Sequence, residues 1–300
     1  MKKIVVALGG NALLPRGQEL SAENQYQNME AVVQGLWTLT REYRVILVHG
    51  NGPQVGLLAL QNQSCQEIPA YPLDILVAQT QGMVGYMLAQ SVGSQPDMPP
   101  VATVLTRVVV EARDEAFSHP SKFIGPVYCL EQQSELERRW GWRMQRDGDY
   151  LRRVVASPKP CDIVELDTIS ELVQQGRLVI CCGGGGVPVF ADAGRYRGAE
   201  AVIDKDAAAV LLAQRLEADH LLILTDADAV YQDWGTEHQR ALTRVTTTQL
   251  LPFAADDGAM GPKAQAAIDF VQATGRNAYI GALRDAAAIL AGTKGTCVHG

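Results

Sequence analysis

Three strand-like runs in this chain each end in glycine: Ile4–Leu8 before Gly9-Gly10-Asn11, Arg44–Val48 before His49-Gly50-Asn51-Gly52-Pro53, and Leu178–Cys182 before Gly183-Gly184-Gly185-Gly186. A β-branched run, a glycine turn and a helix-period segment together make the repeating unit of a parallel sheet, whose neighbouring strands need crossovers that cover both faces. The repeat predicts an α/β fold with a mostly parallel sheet covered on both faces. It also says where chemistry can sit. Glycine lets the backbone approach a ligand closely, and N–H groups opening the next helix favour an anion there. The carboxyl ends of parallel strands share one edge of the sheet, so three such turns converge.

Helix boundaries are readable. Between Ser21 and Arg41 the residues Met29, Val32, Val33, Leu36 and Leu39 fall at helical spacing. Pro53 suits the first turn of a helix through Val55–Gln61, Thr168-Ile169-Ser170-Glu171 has capping-box form with Gly176 as a stop, and Pro262 opens a helix that ends by Gly275. Val101–Val110 reads as a further strand. The segment from Glu111 to Pro160 differs: it is charged and arginine-rich, carries Trp140 and Trp142, and is bounded by Ser118-His119-Pro120 and Ser157-Pro158-Lys159-Pro160. It predicts a small protruding lid subdomain, residues 111–160, between lobes 1–110 and 161–300 of a single 300-residue domain.

With 47% hydrophobic and 20% charged residues the chain can bury a large core. A net charge of −7 argues against a general affinity for nucleic acid or an anionic membrane, so any phosphate must be held by a few local cations. No apolar stretch reaches the roughly 18–20 residues of a membrane span. The opening apolar run is broken by Gly9-Gly10-Asn11, which disfavours a signal peptide. Six scattered cysteines without C-x-x-C spacing read as reduced, buried thiols in a cytoplasmic protein.

The phosphate-loop pattern G-x-x-x-x-G-K-[ST] is absent. Gly50-Asn51-Gly52-Pro53-Gln54-Val55-Gly56 approaches the dinucleotide fingerprint with one residue too many, and the next strand carries Arg107 where a ribose partner would be acidic, which disfavours a nicotinamide cofactor. Lysines are few, seven against nineteen arginines. Lys122, Lys205 and Lys263 each stand beside a turn or helix start. A lone lysine is ordinarily a solvated charge, but Asp204-Lys205-Asp206 follows the apolar Ala201-Val202-Ile203, and two carboxylates there can fix an ammonium or cap the next helix.

Val-Val-Ala-Leu-Gly-Gly-Asn-Ala (5–12), His-Gly-Asn-Gly-Pro-Gln-Val-Gly (49–56), Pro-Leu-Asp (72–74), Ala-Thr-Val-Leu-Thr (102–106), Lys-x-Ile-Gly-Pro (122–126), Ser-Pro-Lys-Pro (157–160), Cys-Gly-Gly-Gly-Gly-Val-Pro-Val (182–189) and Glu-Ala-Val-Ile-Asp-Lys-Asp (200–206) follow one another in this order. Together they resemble the carbamate kinase family of the amino-acid kinase superfamily, in pattern those associated with allantoin and purine catabolism. The resemblance implies a three-layer α/β/α open sandwich with a mostly parallel central sheet, reversible phosphoryl transfer between ATP and carbamate, a homodimer, an acceptor lobe (1–110) and a nucleotide lobe (161–300). It implies that Gly9, Gly10, Asn11, Asn51 and Gly52 surround carbamate or carbamoyl phosphate. Lys122, Lys205 and Asp204 would be catalytic, and Gly183, Gly184, Thr225, Asp226, Tyr231 and Lys263 would bind ATP or ADP. Mg²⁺ is expected on the nucleotide phosphates without a named protein ligand, and His49 is expected to be a structural hydrogen-bonding partner. The chain departs from the family pattern at Gly148-Asp149-Tyr150-Leu151, at Phe123 and at Thr225-Asp226-Ala227-Asp228. The alternatives are another small-acid kinase of the same fold, such as an acylamino-acid kinase, and a non-catalytic nucleotide sensor.

Overall fold

Alternation along the opening strand divides the core in two. In Lys2–Leu8 the side chains of Val5 and Ala7 join one apolar cluster, while Ile4, Val6 and Leu8 join another. The same split occurs in Tyr43–His49, with Ile46 and Val48 on one side and Val45 and Leu47 on the other, and in His220–Thr225. Both faces of these strands are therefore buried, as parallel crossovers require. Helices Lys205–Arg215, Gly261–Thr274 and Leu166–Gln174 cover the first face through Ala208, Leu212, Ala267, Phe270 and Ile169. Helices Ala22–Thr40 and Leu73–Gly93 cover the second through Met29, Leu36, Val84 and Leu88. The result is the three-layer α/β/α sandwich.

The structure is a computed structural model that describes residues 1–15, 17–65, 67–255 and 259–300, with the side chains of 11 and 12 left out. The central sheet runs in the order Arg244–Thr246, Thr296–His299, Ala278–Ala282, His220–Thr225, Lys2–Leu8, Tyr43–His49, Leu178–Ile180, Val101–Thr103. Every neighbouring pair is parallel except Ala278–Ala282 with Thr296–His299. The carboxyl ends of the three innermost strands thus deliver residues 9, 50 and 226 to the same edge.

Four expectations need correction. The run at 178 leaves the sheet after Ile180, and the glycines behind it form one tight 3-10 turn that feeds the strand Val187–Asp192. No helix follows, so this turn offers no helix N-terminus. Val101–Val110 is two strands, Val101–Thr103 in the central sheet and Arg107–Val110 in a second sheet, broken where the Thr106 amide turns away to donate to Gln81 Oε1 at 2.9 Å. Thr168 lies inside helix Leu166–Gln174, whose N-cap Glu165 makes no side-chain cap, because that carboxylate binds Arg107 instead. Of the cysteines, Cys181 and Cys182 are buried, but Cys65 and Cys129 are exposed; all are free thiols.

Residues of the arginine-rich segment form an antiparallel sheet of Lys122–Tyr128, Tyr150–Val155 and Arg143–Asp147, with helix Gln133–Trp140 and a small core of Leu136, Trp142, Met144 and Leu151. This sheet sits against helix Gly52–Ser64. The junction is made of two glycines: a Cβ on Gly56 would fall 1.9 Å from the Gly125 Cα, which leaves no room for a side chain, and Gly125 itself has φ of +74°, with a Cβ there 3.3 Å from the Gly56 Cα.

Candidate active site

The strands aim the glycine turns at one another. The Gly9 amide donates to the Leu224 carbonyl at 2.8 Å, and the Gly50 amide to the Leu8 carbonyl at 3.0 Å. A Cβ on Gly50 would stand 3.0 Å from the Gly10 nitrogen and 3.4 Å from Cδ of Lys205, so the first two turns and the stem of that lysine are in contact. A Cβ on Gly183 would meet His49 Nε2 at 2.3 Å, and one on Gly184 would meet Asn51 Nδ2 at 2.1 Å. The third turn therefore packs directly on the second. Gly52 is the opposite case: a Cβ there would meet nothing within 4 Å, which leaves open room at the start of helix Gly52–Ser64.

Three ammonium groups gather around two carboxylates at this place. Asp204 caps helix Lys205–Arg215 with Oδ1, which accepts from the Asp206 and Ala207 amides at 2.8 and 3.3 Å, while its Oδ2 accepts from Lys122 Nζ at 2.8 Å. Capping and holding a lysine, the two roles open to this carboxylate in the sequence, are both filled by it. Asp206, buried at 2% exposure, accepts from Lys205 Nζ at 2.5 Å and from Lys263 Nζ at 3.3 Å. Lys122, from the arginine-rich sheet, and Lys263, from the start of helix Gly261–Thr274, thus reach one pair of carboxylates from distant parts of the chain.

Burial and charge oppose each other in this cluster. Burial raises the Asp204 carboxyl, yet Lys122, Lys205 and Lys263 outweigh it and hold the group well below the usual carboxylate range. Burial dominates at Lys205 and pulls its ammonium below the ordinary lysine value, with Lys263 adding to the effect and Asp206 resisting it. At Lys263 burial is outweighed by Asp206, Asp204 and Asp226, so its pKa is raised. His49 is buried and its pKa is lowered to about 4 by that burial, with its Nδ1 3.0 Å from the Gly50 carbonyl. A neutral imidazole with Nδ1–H turned to its own turn is the structural role expected of it.

Among the other expected residues, Thr225 ends the strand beside Gly9, and its hydroxyl donates to Asp226 Oδ1 at 2.9 Å. The Tyr231 hydroxyl donates to Asp228 Oδ1 at 2.8 Å, and its ring packs on Trp234 at 5.1 Å. The Asn11 side chain lies outside the described residues. Two clefts flank the lysines, one of 440 Å³ lined by Asp204, Lys159, Ala207 and Pro262, and one of 680 Å³ lined by Ser121, Phe123, Asp147 and Pro262. The sequence named Asp206 as one of two carboxylates able to fix an ammonium, but gave it no site role of its own, and the structure has it holding both Lys205 and Lys263. The sequence reading missed Thr80, whose Oγ1 accepts from Asn51 Nδ2 at 2.8 Å, for which a single threonine in a helix gives no signal.

Glycine turns and clustered ammonium groups at one edge of a parallel α/β sheet suit the transfer of an anionic group. The amino acid kinase family profile matches residues 2–282, and the chain belongs to that family. Relatives that match along nearly the whole chain at 45–58% identity include carbamate kinases. The carbamate kinase of Escherichia coli strain K12 is 58% identical over 298 residues, 99% of each chain. Carbamate kinase from Giardia lamblia bound to citric acid superposes with a TM-score of 0.93 at 36% identity, covering 99% of this chain and 98% of that one. The same Giardia enzyme bound to AMP-PNP gives a TM-score of 0.88 over the same shares.

Proposed function

We propose that this chain is a carbamate kinase that catalyses ATP + carbamate ⇌ ADP + carbamoyl phosphate. The observation that carries the reading is the pair Asp204 and Asp206 holding Lys122, Lys205 and Lys263 beside the glycine turns. Carbamate is already an anion, so its oxygen attacks the γ-phosphorus without a general base. The obstacle is repulsion between two negative reactants. Catalysis of such a transfer is positioning plus electrostatic stabilisation, which fixed ammonium groups and backbone N–H donors supply.

In this reading Lys205 and Lys122 neutralise the transferring and bridging oxygens, and Asp204 keeps Lys122 in reach. Lys263 binds nucleotide phosphates, together with Gly183, Gly184, Thr225, Asp226 and Tyr231. Gly9, Gly10, Asn11, Asn51 and Gly52 surround the acceptor. AMP-PNP bound to the Giardia relative supports a nucleotide substrate. Both carboxylates at the transfer point are committed to ammonium groups, and among the described residues no cluster of three His, Cys, Asp or Glu could hold a metal. That donor set does not fit a protein-built magnesium site; Mg²⁺ would arrive on the nucleotide phosphates.

We also propose the lobe division at 110 and 160, supported by the composition of the segment between, a cytoplasmic setting, supported by the scattered free cysteines, and a homodimer and net ATP formation in purine or allantoin catabolism, both supported by the sequence resemblance. Among the described residues no helix is long and apolar enough to cross a membrane. ATP consumption with carbamate, acetate and N-acetylglutamate in turn tests the acceptor. Carbamate should be turned over fastest; a preference for N-acetylglutamate would favour an acylamino-acid kinase, and no turnover of any would favour a sensor.

A further inference from the structure

In a site built from donors, two acceptors stand without a donor among the described residues. Gln54, in the first turn of helix Gly52–Ser64, is only 1% exposed. Its Nε2 donates to Gln25 Oε1 at 3.0 Å, and Gln25 Nε2 donates to the Ser21 carbonyl at 3.1 Å. A backbone carbonyl only accepts, so Gln25 must turn its nitrogen to Ser21 and its oxygen to Gln54. Gln54 must then offer its own nitrogen, which directs Oε1 away from the relay. That oxygen is sealed from solvent and has no partner among the described residues.

Asn51 repeats the arrangement at the N-cap of the same helix. The Thr80 hydroxyl spends its one proton on the Val77 carbonyl at 2.7 Å, so it can only accept from Asn51, whose Nδ2 lies 2.8 Å away. Asn51 Oδ1 accepts no hydrogen bond from the described residues. Gln25 and Thr80, on two different helices, thus each orient one amide, and each orientation leaves a carbonyl oxygen without a donor among the described residues. Gly52, with nothing within 4 Å of where its Cβ would be, leaves room between them.

We propose that Gln54 Oε1 and Asn51 Oδ1 accept the two N–H groups of the carbamoyl amino group, which makes Gln54 a specificity-determining residue and Gln25 and Thr80 positioning residues that aim the amides. Ammonium groups and glycine amides serve the substrate's oxygens, but they cannot serve an N–H. Acetate and acetyl phosphate have the same outline with a methyl group in place of the amino group, and would leave both oxygens unpaired. The assignment rests on the carbamate reading above.

The test is ATP formation from ADP with carbamoyl phosphate and with acetyl phosphate. In Gln54→Met, which keeps length and removes the acceptor, the ratio of the two kcat/KM values should fall about tenfold or more, the effect of a lost buried hydrogen bond. Thr80→Val should lower the ratio in the same direction, and Thr80→Ser, which keeps the hydroxyl, should retain it. ADP binding measured calorimetrically reports that each variant is folded; if Gln54→Met does not fold, Thr80→Val carries the test. An unchanged ratio, or equal losses on both phosphate donors, overturns the amide assignment while leaving the kinase reading intact. A wild type that makes no ATP from carbamoyl phosphate overturns the kinase reading itself.

Discussion

Asp206 is the residue on which the charge balance of the site turns. It is buried and bound to two ammonium groups, and Lys205 already sits below the ordinary lysine value because burial outweighs that help. Removing the carboxylate leaves Lys205 desolvated beside Lys263, so its pKa must fall further. If turnover needs the charged form, activity is full below that pKa and lost as pH rises through it. Asp206→Asn should therefore move the alkaline limb of the kcat profile to lower pH, which a pH series from 6 to 10 would read. An unmoved limb would show that Lys205 does not set it. His49 gives the opposite limb in stability. Its folded value of about 4 lies below the ordinary 6.5, so the unfolded chain binds more protons between them. Its contribution is complete above the unfolded value and lost as pH falls from about 6.5 towards 4, at most roughly 3 kcal/mol. Thermal melts should show His49→Gln losing less stability than wild type across that window.

At the scale of elements, close approach between backbones decides which substitutions are tolerated. Helix Gly52–Ser64 and strand Lys122–Tyr128 touch through Gly56 and Gly125, and that strand delivers Lys122 to Asp204. Gly56→Ala must push the two apart. It should cost about 1–3 kcal/mol in denaturant melts, the range of overpacking, and lower kcat as Lys122 is drawn off its partner. A stable variant with full activity would show that the junction does not position the lysine. The opening strands, their glycine turns and the helices at 22–40, 52–64 and 261–274 were legible because β-branched runs, helical spacing and prolines at helix starts act locally. The third turn was not. Gly183–Gly186 reads like the other two until the structure shows a strand behind it and its glycines spent on His49, Asn51, Ile203 and Val108. The break at Thr106 was hidden for the same reason: Gln81, which pairs with it, is 25 residues away.

In the whole molecule, the site exists only because topology brings together residues from across the chain. Lys122 and Asp204 are 82 residues apart, and Lys263 and Asp206 are 57 apart, yet each pair is in contact. The chemical types were visible in the sequence as few lysines beside turns, and the family resemblance named all three. Their partners were only half visible, since which carboxylate holds which ammonium depends on side-chain directions at a helix start. Gln25 and Thr80 were invisible, because a polar residue in a helix carries no mark of what it orients. A homodimer would give a mass near twice 32.4 kDa by light scattering, and a monomer mass would remove that part of the proposal. The central claim is that fixed ammonium groups screen two anionic reactants from each other. Initial rates of ATP formation from ADP and carbamoyl phosphate, wild type against Lys205→Ala, test it most directly: wild type should turn over readily and the variant should lose about a hundredfold or more, the scale of one missing charge donor at a transition state. A Lys205→Ala enzyme within a few fold of wild type would contradict it.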